Sequence, residues 1–252
     1  MANKFFDFKN MSNDTAELYF YGEFVTDKYS DDDITTLDFR NQLKEISNVK
    51  TLNMYFDSFG GNVFVANAIV SMLKRYKEEH NVTINAYVDS ASASSASFLM
   101  MVADNIYLYQ NSVVLIHKPM ISAFYVNADE LQGLIDSLNT MEDNIIIPLY
   151  MKHAKEGIDE QKIKNIMAKS EWLSAKETAE IFNVTIISES KQMVASAYHD
   201  KKILDYYKNI PEAIMELLNT RKDNNPDLEA KKKADEELAL ARAKMELEIA
   251  ML

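Results

Sequence analysis

The chain has no cysteine at all, which excludes disulfides, thiolate zinc sites and cysteine nucleophiles together. That absence fits a reducing, cytoplasmic setting. Glycine and proline are scarce, 5 and 4 in 252 residues, so long regular elements are expected rather than a loop-rich fold. Positive charge is in deficit. Against 39 Asp and Glu stand 27 Lys and Arg, and a net charge of -12 opposes binding to a phosphate backbone, so no nucleic-acid partner is expected. Long apolar runs are missing too. The most apolar windows, 98–103 and 145–151, fall far short of the ~20 residues that cross a bilayer, and residues 1–7 lack the apolar stretch of a signal peptide. A soluble protein with no membrane partner is the expectation. No G-x-x-x-x-G-K-[ST] phosphate loop occurs, and His80, His117, His153 and His199 form no H-x-x-x-H metal spacing. No cofactor or metal is therefore expected.

What is present is a hydrophobic fraction of 47%, too high for a disordered chain and sufficient for one sizeable core. Residues 16–21, 50–56, 82–88, 105–109 and 113–116 read as strands, rich in branched and aromatic side chains. Between them, 34–46 and 62–77 carry apolar residues at helical spacing. Strands alternating with helices predict an α/β fold with parallel βαβ units. Beyond these, Asn127 or Asp129 is expected to cap a long helix reaching Ala154, with Pro148 kinking or breaking it. Residues 159–168 and 174–182 read as helices and 184–187 as a short strand. Residues 1–218 are taken as one domain, 219–227 as a polar linker, and 228–252 as a C-terminal helical appendage. In that tail Leu238, Met245 and Leu252 repeat every seven residues, a short coiled-coil pattern.

Three places carry possible chemistry. Ser58-Phe59-Gly60-Gly61 follows a strand and precedes a helix, as a plain turn or as an anion or oxyanion site. The run from Ser90 to Ser97 opens an apolar helix, as a small-residue packing surface or as a nucleophile at a strand-to-helix turn. His117 ends an apolar strand, as a satisfied structural histidine or as a base. Taken singly, each bland reading is the commoner one. Together they occur in the order glycine pair, serine, histidine, each at a predicted strand end, and such ends cluster at one edge of an α/β sheet. That order supplies an oxyanion donor, a nucleophile and a general base from separate elements.

Over roughly 18–182 these motifs resemble the Clp protease proteolytic subunit (ClpP) family, and most nearly the ClpP-like head-maturation proteases of phages and prophages. Asp57-Ser58-Phe59-Gly60-Gly61-Asn62-Val63-Phe64 resembles N-S-P-G-G-D-V-F, and residues 68–75 resemble the A-I-x-x-x-L-K-R-like helix that follows it. Ala93-Ser94-Ser95-Ala96-Ser97 matches A-S-x-A/G-S/A, Leu115-Ile116-His117-Lys118-Pro119 matches M/L-I-H-x-P, and residues 172–177 match W/F-L-T/S-A-x-E. The resemblance implies a ClpP/crotonase-like fold of repeated ββα units with a long handle helix. It implies a serine endopeptidase with Ser94 as nucleophile, His117 as general base, and the backbone N–H groups of Gly61 and Ser95 as oxyanion hole. It further implies a peptide or protein substrate, a ring-forming homo-oligomer, and a Clp-type ATPase or a capsid or scaffold protein as partner.

The sequence departs from the pattern at three points. Phe59 replaces the proline of S-P-G-G, the 120–126 segment lacks the usual glycines, and Ser170 stands where the family has its acid. Glu171, next to it, is the expected substitute, since a carboxylate stabilises an imidazolium electrostatically; the alternative is that Ser170 itself orients His117 by a hydrogen bond. The alternatives are a crotonase-type acyl-CoA enzyme, which uses paired backbone N–H groups without the Ser94/His117 pair, and a catalytically weak scaffolding protein.

Overall fold

In a parallel sheet whose helices lie on one face, alternate strand residues must be apolar, and the register decides which of them meet. The computed structural model describes residues 8–12, 14–28, 33–46, 49–188, 210–212 and 215. The chain divides into two units, 1–210 and 211–252. In the second, the described residues include Met215, whose N–H bonds the Pro211 carbonyl at 3.1 Å. The expected linker 219–227 and helix 228–252 lie outside the described residues.

The first unit is built on an eight-stranded mixed sheet. Its strands are β1 (Phe8–Ser12), β2 (Thr15–Phe20), β3 (Thr51–Ser58), β4 (Thr83–Ala93), β5 (Asn105–Tyr109), β6 (Val113–Leu115), β7 (Trp172–Ser174) and β8 (Thr185–Ile187). The main path runs β1-β2-β3-β4-β5-β8. β2 through β5 and β8 are parallel neighbours, while β1 is antiparallel to β2. β4 forks. Asn85–Val88 pairs with β5, whereas Ala91–Ala93 pairs with β6, which in turn holds β7 antiparallel. The helices are α1 (Thr36–Leu43), α2 (Val63–His80), α3 (Ser95–Leu99), α4 (Ala128–Met141), α5 (Ile147–Met151), α6 (Glu160–Lys169) and α7 (Ala175–Ile181). The fold is thus a mixed α/β fold with a mostly parallel sheet, as the alternation of strands and helices implies.

The two sheet faces differ sharply. Leu18, Phe20, Leu52, Met54, Phe56, Ile84, Val88 and Leu108 are fully buried and join Ile69 and Leu73 of α2 in the core. On the other face the register aligns Tyr19, Tyr55, Tyr87 and Tyr107 into a stacked row, with centroid spacings of 4.8, 5.2 and 4.8 Å. Two residues upstream, Asn53, Asn85 and Asn105 form a side-chain amide ladder with bonds of 3.0 and 2.9 Å.

Two sequence expectations are corrected. The strand expected over 82–88 runs on as β4 through Ala93, its small side chains fitting between β3 and β6. The interruption expected at Pro148 falls a few residues before it. After the Asn127 capping box, α4 ends at Met141 and a wide turn covers Glu142–Ile146, with the Ile147 N–H bonding the Glu142 carbonyl. Pro148, which has no N–H to give, then lies in the first turn of α5, where none is needed. β1 and β7 are additional strands.

Candidate active site

Ser94 stands between β4 and α3 at φ 54° and ψ -125°. Few L residues adopt such a backbone, and holding one there costs on the order of 1–3 kcal/mol. The surroundings impose it: the Ser94 N–H bonds the Leu115 carbonyl of β6 at 3.0 Å, while α3 begins at the next residue. The hydroxyl is thereby presented at the sheet edge instead of entering the helix.

The glycine turn crosses that point. Gly60 and Gly61 have φ of 95° and 136°. A β-carbon on Gly60 would lie 2.7 Å from the Ala93 carbonyl oxygen and 2.8 Å from both the Ser94 β-carbon and the Ser95 nitrogen. One on Gly61 would lie 2.3 Å from the Phe24 carbonyl oxygen. Only glycine fits at either position. Phe24 donates to the Gly60 carbonyl (2.9 Å) and accepts from the Asn62 N–H (2.7 Å), so the Gly61 N–H between them is turned away from Phe24. Ser95 is the first residue of α3, and its N–H has no acceptor within the helix. Phe59, at the position of the family proline, is buried and meets Trp172 edge-on at 5.7 Å, tying the turn to β7.

His117 lies two residues beyond β6, buried, with Nε2 2.7 Å from the Ser94 hydroxyl. The ring also hydrogen-bonds the Lys118 backbone, and Nε2, facing the serine hydroxyl, is the nitrogen placed to take its proton. Burial lowers the imidazole pKa to about 4, against a smaller upward effect of that backbone bond. The ring is therefore neutral at pH 7, the state a base requires. The Lys118 ammonium lies 3.0 and 3.2 Å from the two carboxylate oxygens of Glu142, whose side chain is only 6% exposed, in the wide turn after α4.

The structure thus brings Ser94 and His117 into contact and sets Gly60, the neighbour of Gly61, against Ser94 and Ser95. It does not bring Glu171 or Ser170 to the ring. β7 pairs Trp172 with Leu115, so both residues are near in topology, but each faces elsewhere. Glu171 is 52% exposed and 3.9 Å from Lys169, and Ser170 caps α6 with its hydroxyl toward the Met167 carbonyl at 3.5 Å. A hydrated carboxylate beside a lysine avoids the desolvation that turning inward would cost. The expected substitution by Glu171 is corrected accordingly. Sequence reasoning missed Lys118, Glu142 and Tyr150 as supports of the site, because nothing local to them signals contact with it. Among the described residues no three His, Asp or Glu side chains converge to hold a metal. No helix there is long and apolar enough to cross a membrane.

Strand ends that converge a serine hydroxyl, an imidazole and a glycine turn give this α/β chain the elements of a serine-hydrolase site. More narrowly, the chain belongs to the Clp protease family, whose profile matches residues 3–189. This is a serine peptidase family whose members generally act on protein substrates and form rings. Among solved structures it is similar to the N165D mutant of ClpP1 from Listeria monocytogenes, at 22% identity and a TM-score of 0.53, covering 70% of this chain and 92% of that one. No curated protein matches it significantly.

Proposed function

We propose that the protein is a serine endopeptidase in which Ser94 attacks a peptide carbonyl while His117 Nε2 takes the hydroxyl proton. The observation that carries this reading is the 2.7 Å contact between a buried, neutral imidazole and a serine hydroxyl at a positive-φ turn. The N–H groups of Gly61 and Ser95 hold the developing oxyanion, a contribution of ~3 kcal/mol for each such donor. His117 returns its proton to the leaving amine, and water then hydrolyses the acyl-enzyme by the reverse path. A backbone hydrogen bond from the ring to Lys118 contributes to holding His117 in place.

Assembly belongs to the same reading. None of the α4 side chains is fully buried, and the preceding segment leaves Phe124 80% exposed beside Ile121 and Tyr125. These surfaces support a ring-forming homo-oligomer that takes protein substrates, among them phage head proteins on the strength of the motif resemblance. The deciding experiment is fluorophosphonate labelling of the full chain beside Ser94→Ala, with cleavage of a fluorogenic peptide and sedimentation in parallel. Labelling and cleavage that vanish together in the variant support the reading; equal cleavage by both proteins sinks it.

A further inference from the structure

Behind the nucleophile turn lies a second chain of hydrogen bonds. The Ser97 hydroxyl donates to the Ser94 carbonyl at 2.6 Å, and the Ser97 N–H reaches the same oxygen at 3.0 Å. Having spent its single proton there, the Ser97 hydroxyl accepts from the Tyr150 hydroxyl at 2.7 Å. Tyr150 comes from α5 and is fully buried, as is Ser97. Burial pushes the phenol pKa upward, so Tyr150 keeps its proton and remains a donor.

We propose that Tyr150 and Ser97 are positioning residues for the oxyanion hole, which act by pinning the Ser94 carbonyl and thereby aiming the Ser95 N–H. The Ser94 carbonyl and the Ser95 N–H are the two ends of one planar peptide unit, so fixing one direction fixes the other. Serine back-bonding to a carbonyl one turn earlier is common in helices. Here the carbonyl belongs to a residue in a strained conformation, and the hydroxyl that bonds it is itself locked by a buried phenol. Donation to the carbonyl also polarises the peptide and strengthens its N–H as a donor. Without the pair, the peptide has freedom to rotate and relieve the strain at Ser94, turning the Ser95 N–H away from the oxyanion.

This inference rests on the peptidase reading, and its test separates the two. Wild type, Tyr150→Phe and Ser97→Ala are compared on a fluorogenic peptide, with a peptide boronic acid as the tetrahedral mimic and an uncleaved peptide as the ground-state ligand. The expected result is a fall in kcat of about tenfold for Tyr150→Phe and about a hundredfold for Ser97→Ala. Boronate affinity should weaken in parallel, while KM and binding of the uncleaved peptide stay constant. Unchanged kcat in Tyr150→Phe, or a change confined to KM, overturns it. Crystal structures of wild type and both variants complete the test. If wild type neither cleaves nor labels, the peptidase reading has failed, and the structures alone decide this inference: a rotated 94–95 peptide in the variants supports it, an unmoved one overturns it.

Discussion

Ser94 carries a backbone conformation that suits a β-carbon poorly, so its reactivity and its cost to the fold are linked. Ser94→Gly should abolish labelling and yet raise the thermal midpoint, because glycine takes a positive φ without penalty; a stabilisation of about 1 kcal/mol is expected from calorimetry or denaturant melts. A lowered midpoint would mean that the hydroxyl contributes more to the fold than the strain removes. His117 supplies a pH signature. With its pKa lowered to about 4, the base stays neutral well into acid, so kcat/KM should hold from pH 7 to about 5 and fall only as pH drops through about 4. An acid limb centred near 6.5 would show a solvated histidine instead. Stability follows the same group with a fixed sign. The unfolded chain binds the proton below 6.5 and the folded chain only below about 4, so this contribution is complete above 6.5 and is lost as pH falls between the two. His153, whose pKa burial also lowers, acts in the same direction, so His117→Asn should reduce the acid sensitivity without removing it.

Between elements, two contacts hold the site, and each predicts an asymmetry. The glycine turn touches backbone on both sides, so Gly61→Ala, whose β-carbon would lie 2.3 Å from a carbonyl oxygen, should destabilise by several kcal/mol, of order 3 or more, and abolish cleavage. Denaturant titration with circular dichroism reads the first effect and peptide cleavage the second. The Lys118–Glu142 pair joins the His117 loop to the wide turn beyond α4, with the lysine 48% exposed and the glutamate buried. Removing the lysine leaves a buried carboxylate alone, whereas removing the glutamate leaves a lysine that water already reaches. Lys118→Ala should therefore destabilise more than Glu142→Gln, by about 1–2 kcal/mol after discounting for the exposed partner. Equal losses in urea melts would show that the pair contributes little beyond a surface ion pair.

For the whole molecule, α4 is the outlying element. It has a capping box and an exposed apolar stripe that includes Leu131 and Ile135, and none of its side chains is fully buried. A helix in that state stands by its caps and by what covers it. The double variant Leu131→Glu, Ile135→Glu should leave the circular dichroism and melting of the subunit unchanged while shifting sedimentation toward the monomer. A loss of fold in that variant would mean the stripe supports the subunit itself.

How much of this was legible beforehand follows from the range of the forces involved. The spacing of apolar residues and the chain order of glycine pair, serine and histidine are local properties; the first carried the α/β class, while Ser94, His117, Gly61 and Ser95 were singled out by motif resemblance to the family. The Asn127 cap was legible for the same reason: it bonds backbone N–H groups two and three residues away. What depends on contacts distant along the chain was not. The fork of β4, the tyrosine row and the asparagine ladder exist only once four strands share a register, and no single strand encodes that register. The orientation of Glu171 was set by desolvation and by Lys169, not by its proximity in sequence to Trp172. Tyr150 meets Ser97 across 53 residues of chain, and Glu142 meets Lys118 across 24. Such pairs are chosen when the core packs, because only then does a buried polar group have to find its partner.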